Sequence, residues 1–285
     1  MTSPILVTGA LGNVGTEIIK ELLASGHHVR AADLDTEKIG ERFGPGVESV
    51  PFDFSRPATF AGAFRAVEKM FLMRPPQISD VKRYLFPALD AARAAGVRHV
   101  VFLSLIGIEK TTFVPHYKVE QYLRSSNLTW TFLRCSFFMQ NLNTTHRLEI
   151  KEHNEIFVPV GKAKTSFLDV RDIGAVGAVA LTQAGHDNQA YDLTGPDAFD
   201  YWQVAAILSE VLGRTITYRN PNPLHFLIRT VRHGTPLRFA LVMTGLYTAT
   251  RLGQADMVTL GVQRLTGRNP ISFRRYVEDY QSAWL

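Results

Sequence analysis

Three glycines stand at even spacing near the start of the chain, Gly9, Gly12 and Gly15, within Thr8-Gly9-Ala10-Leu11-Gly12-Asn13-Val14-Gly15. Between a strand and a helix, glycines so placed build a pyrophosphate cradle. The first permits a sharp turn, the second lets the main chain approach the ligand, and the third lets the helix pack closely. The helix then points free N–H groups and its positive dipole end at the phosphates. Thr8, Leu11, Asn13 and Val14 share that turn and count with the glycines as cofactor-binding candidates. Asp33 lies 18 residues beyond Gly15, close to the spacing of about 20 at which a carboxylate accepts from ribose hydroxyls. A carboxylate there repels a 2′-phosphate, and Leu34 rather than Arg follows it. The expected cofactor is therefore NAD, with NADP as the alternative; the competing role for Asp33 is a solvated acid at a strand end.

A second set could move protons. His116 and Glu120 are four residues apart, one turn on a single helix face. A histidine beside a carboxylate can orient a ribose or donate a proton near neutral pH; the other reading of His116 is a polar residue at a helix start. Asp53 and Phe54 close a strand where an acid can accept from the adenine amine and a ring can pack on the base. Asp53 or Ser55 can equally cap a helix. Met73 and Arg74 end another strand on the same edge, and Arg74 or Arg30 could reach a 2′-phosphate. Phe137, Phe138, Gln140 and Asn141 form a candidate substrate pocket, with flat rings for a quinone or dye and amides for a carbonyl, although core packing also suits at least one Phe. Asp172 reads as an N-cap ahead of Ile173. No His, Cys or carboxylate cluster has metal spacing, and no Ser-His-Asp set is present.

The elements that must hold these residues alternate. Apolar runs at Ile5–Val7, His28–Ala32, Val47–Phe52, Lys69–Met73, Val97–Leu105 and Thr129–Leu133 read as strands. Ser166–Val170 and Ala190–Leu193 extend the series. Between them, Asn13–Ser25, Val81–Ala95, Pro115–Ser126 and Ile173–Thr182 read as helices, with Gly26 and Gly96 as stops and a kink expected at Pro87. This pattern is that of an α/β fold with a doubly wound, Rossmann-type parallel sheet. Residues 1–150 are expected to form the dinucleotide-binding domain, with 165–195 returning to it. Residues 151–164 and 196–285 would then form a smaller, mainly helical substrate lobe.

Composition narrows the classes. With 46% apolar and 20% charged residues, the chain has ordinary globular composition. No run reaches the roughly 18 apolar residues of a membrane span, and Phe226–Tyr247 is broken by Arg229, Arg232, His233 and Arg238. The first strand begins too early to leave room for a signal peptide. A single cysteine, Cys135, excludes an internal disulfide and suits a reducing cytoplasm. The net charge is +5, but no basic block of five or six residues marks a nucleic-acid partner. The expected partner is a small molecule, with no membrane and no nucleic acid, for a monomer or a homodimer.

Ordered matches then accumulate along the chain: Val7-Thr8-Gly9 to Gly15, Tyr84-Leu85-Phe86-Pro87-Ala88-Leu89, Val100-Val101-Phe102-Leu103-Ser104, Pro115-His116 with Val119-Glu120, and Thr131-Phe132-Leu133-Arg134. Further on come Phe137-Phe138-Met139-Gln140-Asn141, Leu193-Thr194-Gly195-Pro196 and Leu265-Thr266-Gly267-Arg268. Together they resemble the NmrA-like branch of the atypical short-chain dehydrogenases/reductases. The resemblance implies bound NAD(P) and a small C-terminal lobe. It also implies one of two activities: hydride transfer to a quinone-like or other conjugated acceptor, or redox sensing without turnover. Tyr117 is followed four residues later by Gln121, so the Tyr-x-x-x-Lys dyad of typical relatives is absent. His116 falls where lysine-bearing relatives carry Lys. Ser104 matches the family's active-site serine, so Ser104, His116 and Glu120 are the catalytic candidates.

Overall fold

The computed structural model describes residues 3–285. Apolar runs became strands β1 Ile5–Thr8, β2 Val29–Asp33, β3 Glu48–Pro51, β4 Lys69–Leu72, β5 His99–Leu105 and β6 Thr129–Cys135. With Gln189–Leu193 they form one parallel sheet in the order Gln189–Leu193, β6, β5, β4, β1, β2, β3. Near-continuous burial of β1, β4, β5 and β6 explains their unbroken apolar sequences, since helices cover both faces of such sheets. The strand order reverses between β1 and β4, which leaves a crevice at their carboxyl ends, the usual ligand position in doubly wound sheets.

Helices α1 Asn13–Ala24, α2 Thr36–Phe43, α3 Phe60–Phe64, α4 Val81–Ala94 and α5 Pro115–Ser125 connect the strands. Helix α1 buries Val14, Ile18, Ile19 and Leu22. Beyond it Gly26 has φ 76°, the left-handed conformation that closes helices. Helix Val170–Thr182 packs directly on α1, and its small residues are the reason: a Cβ on Gly174 would meet Glu17 Cβ at 2.7 Å, and one on Gly177 would meet Ile18 Cδ1 at 2.8 Å. Because this helix begins at Val170, Asp172 lies in its first turn and is not the N-cap that the sequence suggests.

The chain divides into two compact units. The first comprises residues 1–135, 170–193 and 264–267, and the second 136–169, 194–263 and 268–285. The first break therefore falls at Cys135, not near residue 150. Residues 136–150 go with the second unit because Met139, Leu142 and Ile150 are buried in its core. Residues 165–169 go with it because Thr165–Leu168 pairs with Phe137–Phe138 and Ala198–Phe199 in a small sheet. Helices Tyr201–Leu212, Pro223–Arg232, Leu237–Arg251 and Phe273–Tyr280 complete the second unit. The first of these starts with a capping box between Asp200 and Gln203.

Candidate functional site

At the carboxyl edge of the first unit the glycine turn is held by its own backbone. Gly9 has φ 65°, and a Cβ there would stand 2.3 Å from Met73 Cε. The Gly12 N–H donates to the Gly9 carbonyl at 3.0 Å, and a Cβ on Gly15 would stand 2.2 Å from that same oxygen. The third glycine is thus required by the carbonyl of the first. The Thr8 hydroxyl donates to Phe71 O at 3.1 Å and accepts from the Met73 N–H at 3.0 Å, which ties the ends of β1 and β4 together. No side chain caps α1 and no acid lies in its first turn. Asn13 and Val14 therefore start a helix whose positive end faces outward. An open helix terminus behind a turn that tolerates no Cβ fits a dinucleotide pyrophosphate.

Asp33 ends β2 beside this turn. Its carboxylate accepts from the Leu11 N–H at 2.9 Å and from the Leu34 N–H at 2.8 Å, so it braces the cradle. Arg42, which the sequence did not single out, comes to the same place from α2. Its guanidinium donates to Leu11 O at 2.8 Å and Thr16 Oγ1 at 3.1 Å. Arg30 does not reach this edge, being buried with bonds to the Ala63 and Arg65 carbonyls and an ion pair to Glu48. Arg74 is likewise occupied, donating to the carbonyls of Pro75, Pro76 and Ile78. Asp53 holds an Asx turn through the Ser55 N–H and hydroxyl at 2.8 and 2.7 Å. Phe54 turns into the core, edge-on to Phe52 at 4.8 Å, so the ring expected on the adenine packs inward.

The proton-transfer candidates pair differently from their sequence spacing. Glu120 is buried and accepts from the Ser104 hydroxyl at 2.6 Å. It also takes two bonds from Arg134, from Nε at 3.0 Å and Nη2 at 2.7 Å; Arg134 further binds Glu109. Ser104 and Arg134 are register partners across β5 and β6, so both reach the carboxylate from one face of the sheet. Burial pushes the Glu120 carboxyl up, while the Ser104 bond and the Arg124 charge pull it back. His116 faces Arg74 instead of Glu120, with Arg74 Nε 3.5 Å from Nε2 and Phe102 stacked obliquely at 5.9 Å. Burial, reinforced by the Arg74 charge, lowers the His116 pKa to about 3. The ring is therefore neutral near pH 7. Arg134 was missed, yet a charged residue in an apolar strand announces a buried partner.

In the second unit Phe137 and Phe138 are half-buried. Phe137 packs edge-on to Phe167 at 5.8 Å and beside Tyr247 at 5.9 Å. Gln140 is buried and its amide donates to Asp169 at 2.9 Å, which braces it within this unit. Asn141 is half-buried. Cys135, in the first unit, is buried, and that burial pushes its thiol up, consistent with a packed side chain.

A family model described as the NmrA-like family matches residues 1–251. This chain belongs to the NmrA-like family. An NAD(P)H azoreductase of Xenophilus azovorans is 32% identical over 98% of this chain and 99% of its own. Quinone oxidoreductase 2 of Escherichia coli is 25% identical over 81% of this chain and 82% of its own. Among solved structures, the triphenylmethane reductase of Citrobacter complexed with NADP(H) has a TM-score of 0.84 and 25% identity, covering 97% of this chain and 99% of that one. The glycine turn, the seven-stranded sheet and the uncapped first helix of this NmrA-like chain thus belong to a fold seen with a dinucleotide in place.

Proposed function

We propose that this chain is an NAD(P)H-dependent oxidoreductase whose acceptor is a small, flat, conjugated molecule of the quinone class. The oxidoreductase class follows from its NmrA-like kinship with the azoreductase and the quinone oxidoreductase. The observation that carries the reading is the carboxyl edge of the sheet, where an uncapped helix terminus, a Cβ-intolerant turn and Asp33 converge. When bound, the dinucleotide supplies the hydride.

The chain's own residues do the rest. Gly9, Gly12, Asn13 and Val14 hold the pyrophosphate, and Asp33 takes the ribose hydroxyls while bracing Leu11. Ser104 commits its proton to Glu120, so its oxygen offers lone pairs to a bound N–H or O–H, such as the carboxamide of a nicotinamide. Arg134 fixes the Glu120 carboxyl group through two hydrogen bonds, which holds the acceptor of the Ser104 hydroxyl in place. With His116 neutral and Arg74 Nε–H on its Nε2, the ring proton sits on Nδ1, which is free to donate to a bound acceptor without the ring ionising near pH 7. Hydride addition to a quinone leaves a hydroquinone anion stabilised by its aromatic ring, which needs no dedicated acid during the transfer and can take its proton from solvent afterwards, so a missing tyrosine dyad is no obstacle.

The test is steady-state oxidation of NADH and NADPH against a panel of quinones and an azo dye. Turnover with quinones, reduced in kcat by Ser104→Ala, supports the reading. Tight dinucleotide binding without oxidation by any acceptor overturns it.

A further inference from the structure

Four buried side-chain polar atoms among the described residues have no hydrogen-bond partner: Arg30 Nε, Ser136 Oγ, Thr165 Oγ1 and Arg214 Nε. A polar atom unpaired and out of water costs free energy, so each of them calls for a reason. Three have one at hand. Arg30 Nε lies 3.0 Å from the Glu48 carboxylate, the rest of the Arg214 guanidinium donates to the carbonyls of Lys151, Ile150 and Trp284, and Thr165 stands beside the Tyr201 hydroxyl. That leaves the Ser136 hydroxyl. Ser136 directly follows β6 and directly precedes Phe137–Phe138, so it stands at the carboxyl end of a strand of the parallel sheet, where such folds take their ligands. The backbone there is already satisfied, since the Cys135 carbonyl accepts from the Ile106 N–H at 3.1 Å.

We propose that the Ser136 hydroxyl is the hydrogen-bond donor to the acceptor, holding a carbonyl oxygen of a flat conjugated molecule whose ring lies on Phe137. The inference rests on the oxidoreductase reading above and adds to it a required feature of the acceptor, an oxygen able to take a hydrogen bond. The neighbouring polar groups are committed elsewhere. Gln140 spends its amide on Asp169 at 2.9 Å. Tyr247, whose ring is 5.9 Å from Phe137, has its hydroxyl 2.5 Å from His146 Nε2, and His146 Nδ1 faces Glu149 at 3.1 Å. In a neutral ring the nitrogen beside the carboxylate carries the proton, so Nε2 accepts and the Tyr247 proton is taken. Asn141 is half-buried and has water for a partner, which the Ser136 oxygen, being buried, does not. Ser136 thus keeps an uncommitted O–H. The oxygen of a quinone gains negative charge as hydride arrives, and a donor out of water at developing charge is worth more than one in water.

Ser136→Ala separates a ligand-binding hydroxyl from a structural one. Removing an unpaired buried hydroxyl should leave the thermal midpoint no lower than that of the wild type. For each quinone that the wild type reduces, menadione first, kcat/KM should fall by about tenfold. The dissociation constants for NADH and NADPH, by fluorescence titration, should stay where they were. A lowered midpoint overturns the proposal, because the hydroxyl then holds the fold. An unchanged kcat/KM overturns it too, as does a loss confined to dinucleotide affinity, which would move Ser136 to the cofactor. A wild type that reduces no acceptor is a different result, since it removes the oxidoreductase reading and this proposal together. A wild type that turns over and a variant that matches it remove the proposal alone.

Discussion

The glycine turn and the Ser104 cluster lie on the same edge of the same sheet and are built in opposite ways. At the turn, backbone atoms do the work: Gly9 O receives the Gly12 N–H and excludes any Cβ on Gly15. At the cluster, side chains do it: Ser104, Glu120 and Arg134 satisfy one another in a buried network. The difference teaches where each site is vulnerable. A backbone site fails when bulk is added, and a buried ionic network fails when a partner is taken away.

The largest effect should come from unbalancing the network. Glu120→Ala takes from the Arg134 guanidinium its buried carboxylate partner, leaving the exposed Glu109 and the charge of Asp192 beside it. A buried charge stripped of its partner costs about 3–5 kcal/mol, read as a fall in the urea midpoint at constant slope. Replacing Glu120 and Arg134 together with Gln and Met should recover much of that loss. If the single change costs no more than the double one, the network is not a closed unit. Bulk at the turn should come next. Gly15→Ala sets a methyl 2.2 Å from Gly9 O, and backbone on both sides leaves nothing flexible to yield. A stability loss of about 2–3 kcal/mol is expected, with dinucleotide affinity falling at least about tenfold by fluorescence titration. Gly12→Ala, whose Cβ would be 3.2 Å from the same oxygen, should cost less. Equal losses at the two positions would break the account of the turn.

The contrast also explains how far the sequence could be read. Strand, turn and helix were visible because positive φ, a missing Cβ and apolar periodicity are properties of short stretches. Partners of buried polar side chains are set by register between distant segments. His116 and Glu120 share a helix, yet Glu120 was captured by residues facing each other across β5 and β6. Arg74 folded back on its own proline loop and only its Nε–H reached the histidine. Phe54 and Gln140 had the right chemistry for a ligand, and burial directed both elsewhere. The break at Cys135 was hidden because β6 runs almost without interruption into Phe137–Phe138, a strand of a different sheet.

Protonation distinguishes the two regions further, with a smaller effect. His116 has its pKa lowered to about 3 in the folded chain, against an ordinary value of 6.5. The unfolded chain therefore binds the proton first, and stability is lost as pH falls from 6.5 toward 3. His99, lowered to about 4 by burial, adds a loss of the same sign. His116→Gln should flatten the decline, sparing on the order of 2 kcal/mol at pH 4, as measured by urea unfolding across that range. Turnover should show no step near pH 6.5 that this substitution removes. Such a step would restore His116 as a proton donor.

The finest test lies inside the turn itself, where Asp33 and Arg42 brace Leu11 from its two ends, the carboxylate on its N–H and the guanidinium on its carbonyl. On the proposed reading one charge would disfavour a 2′-phosphate and the other attract it, so their balance is expected to set the NADH to NADPH ratio. Arg42 is bonded at an exposed position, and its removal to Ala should cost less than about 1 kcal/mol of stability. NADPH should weaken by about 1 kcal/mol more than NADH, seen as a change of roughly fivefold in the ratio of their dissociation constants. Asp33→Asn should move the ratio the other way, since it keeps the acceptor for Leu11 while removing the repelling charge. If both substitutions weaken the two cofactors equally, Asp33 and Arg42 are braces of the backbone alone, and discrimination lies elsewhere on the sheet edge.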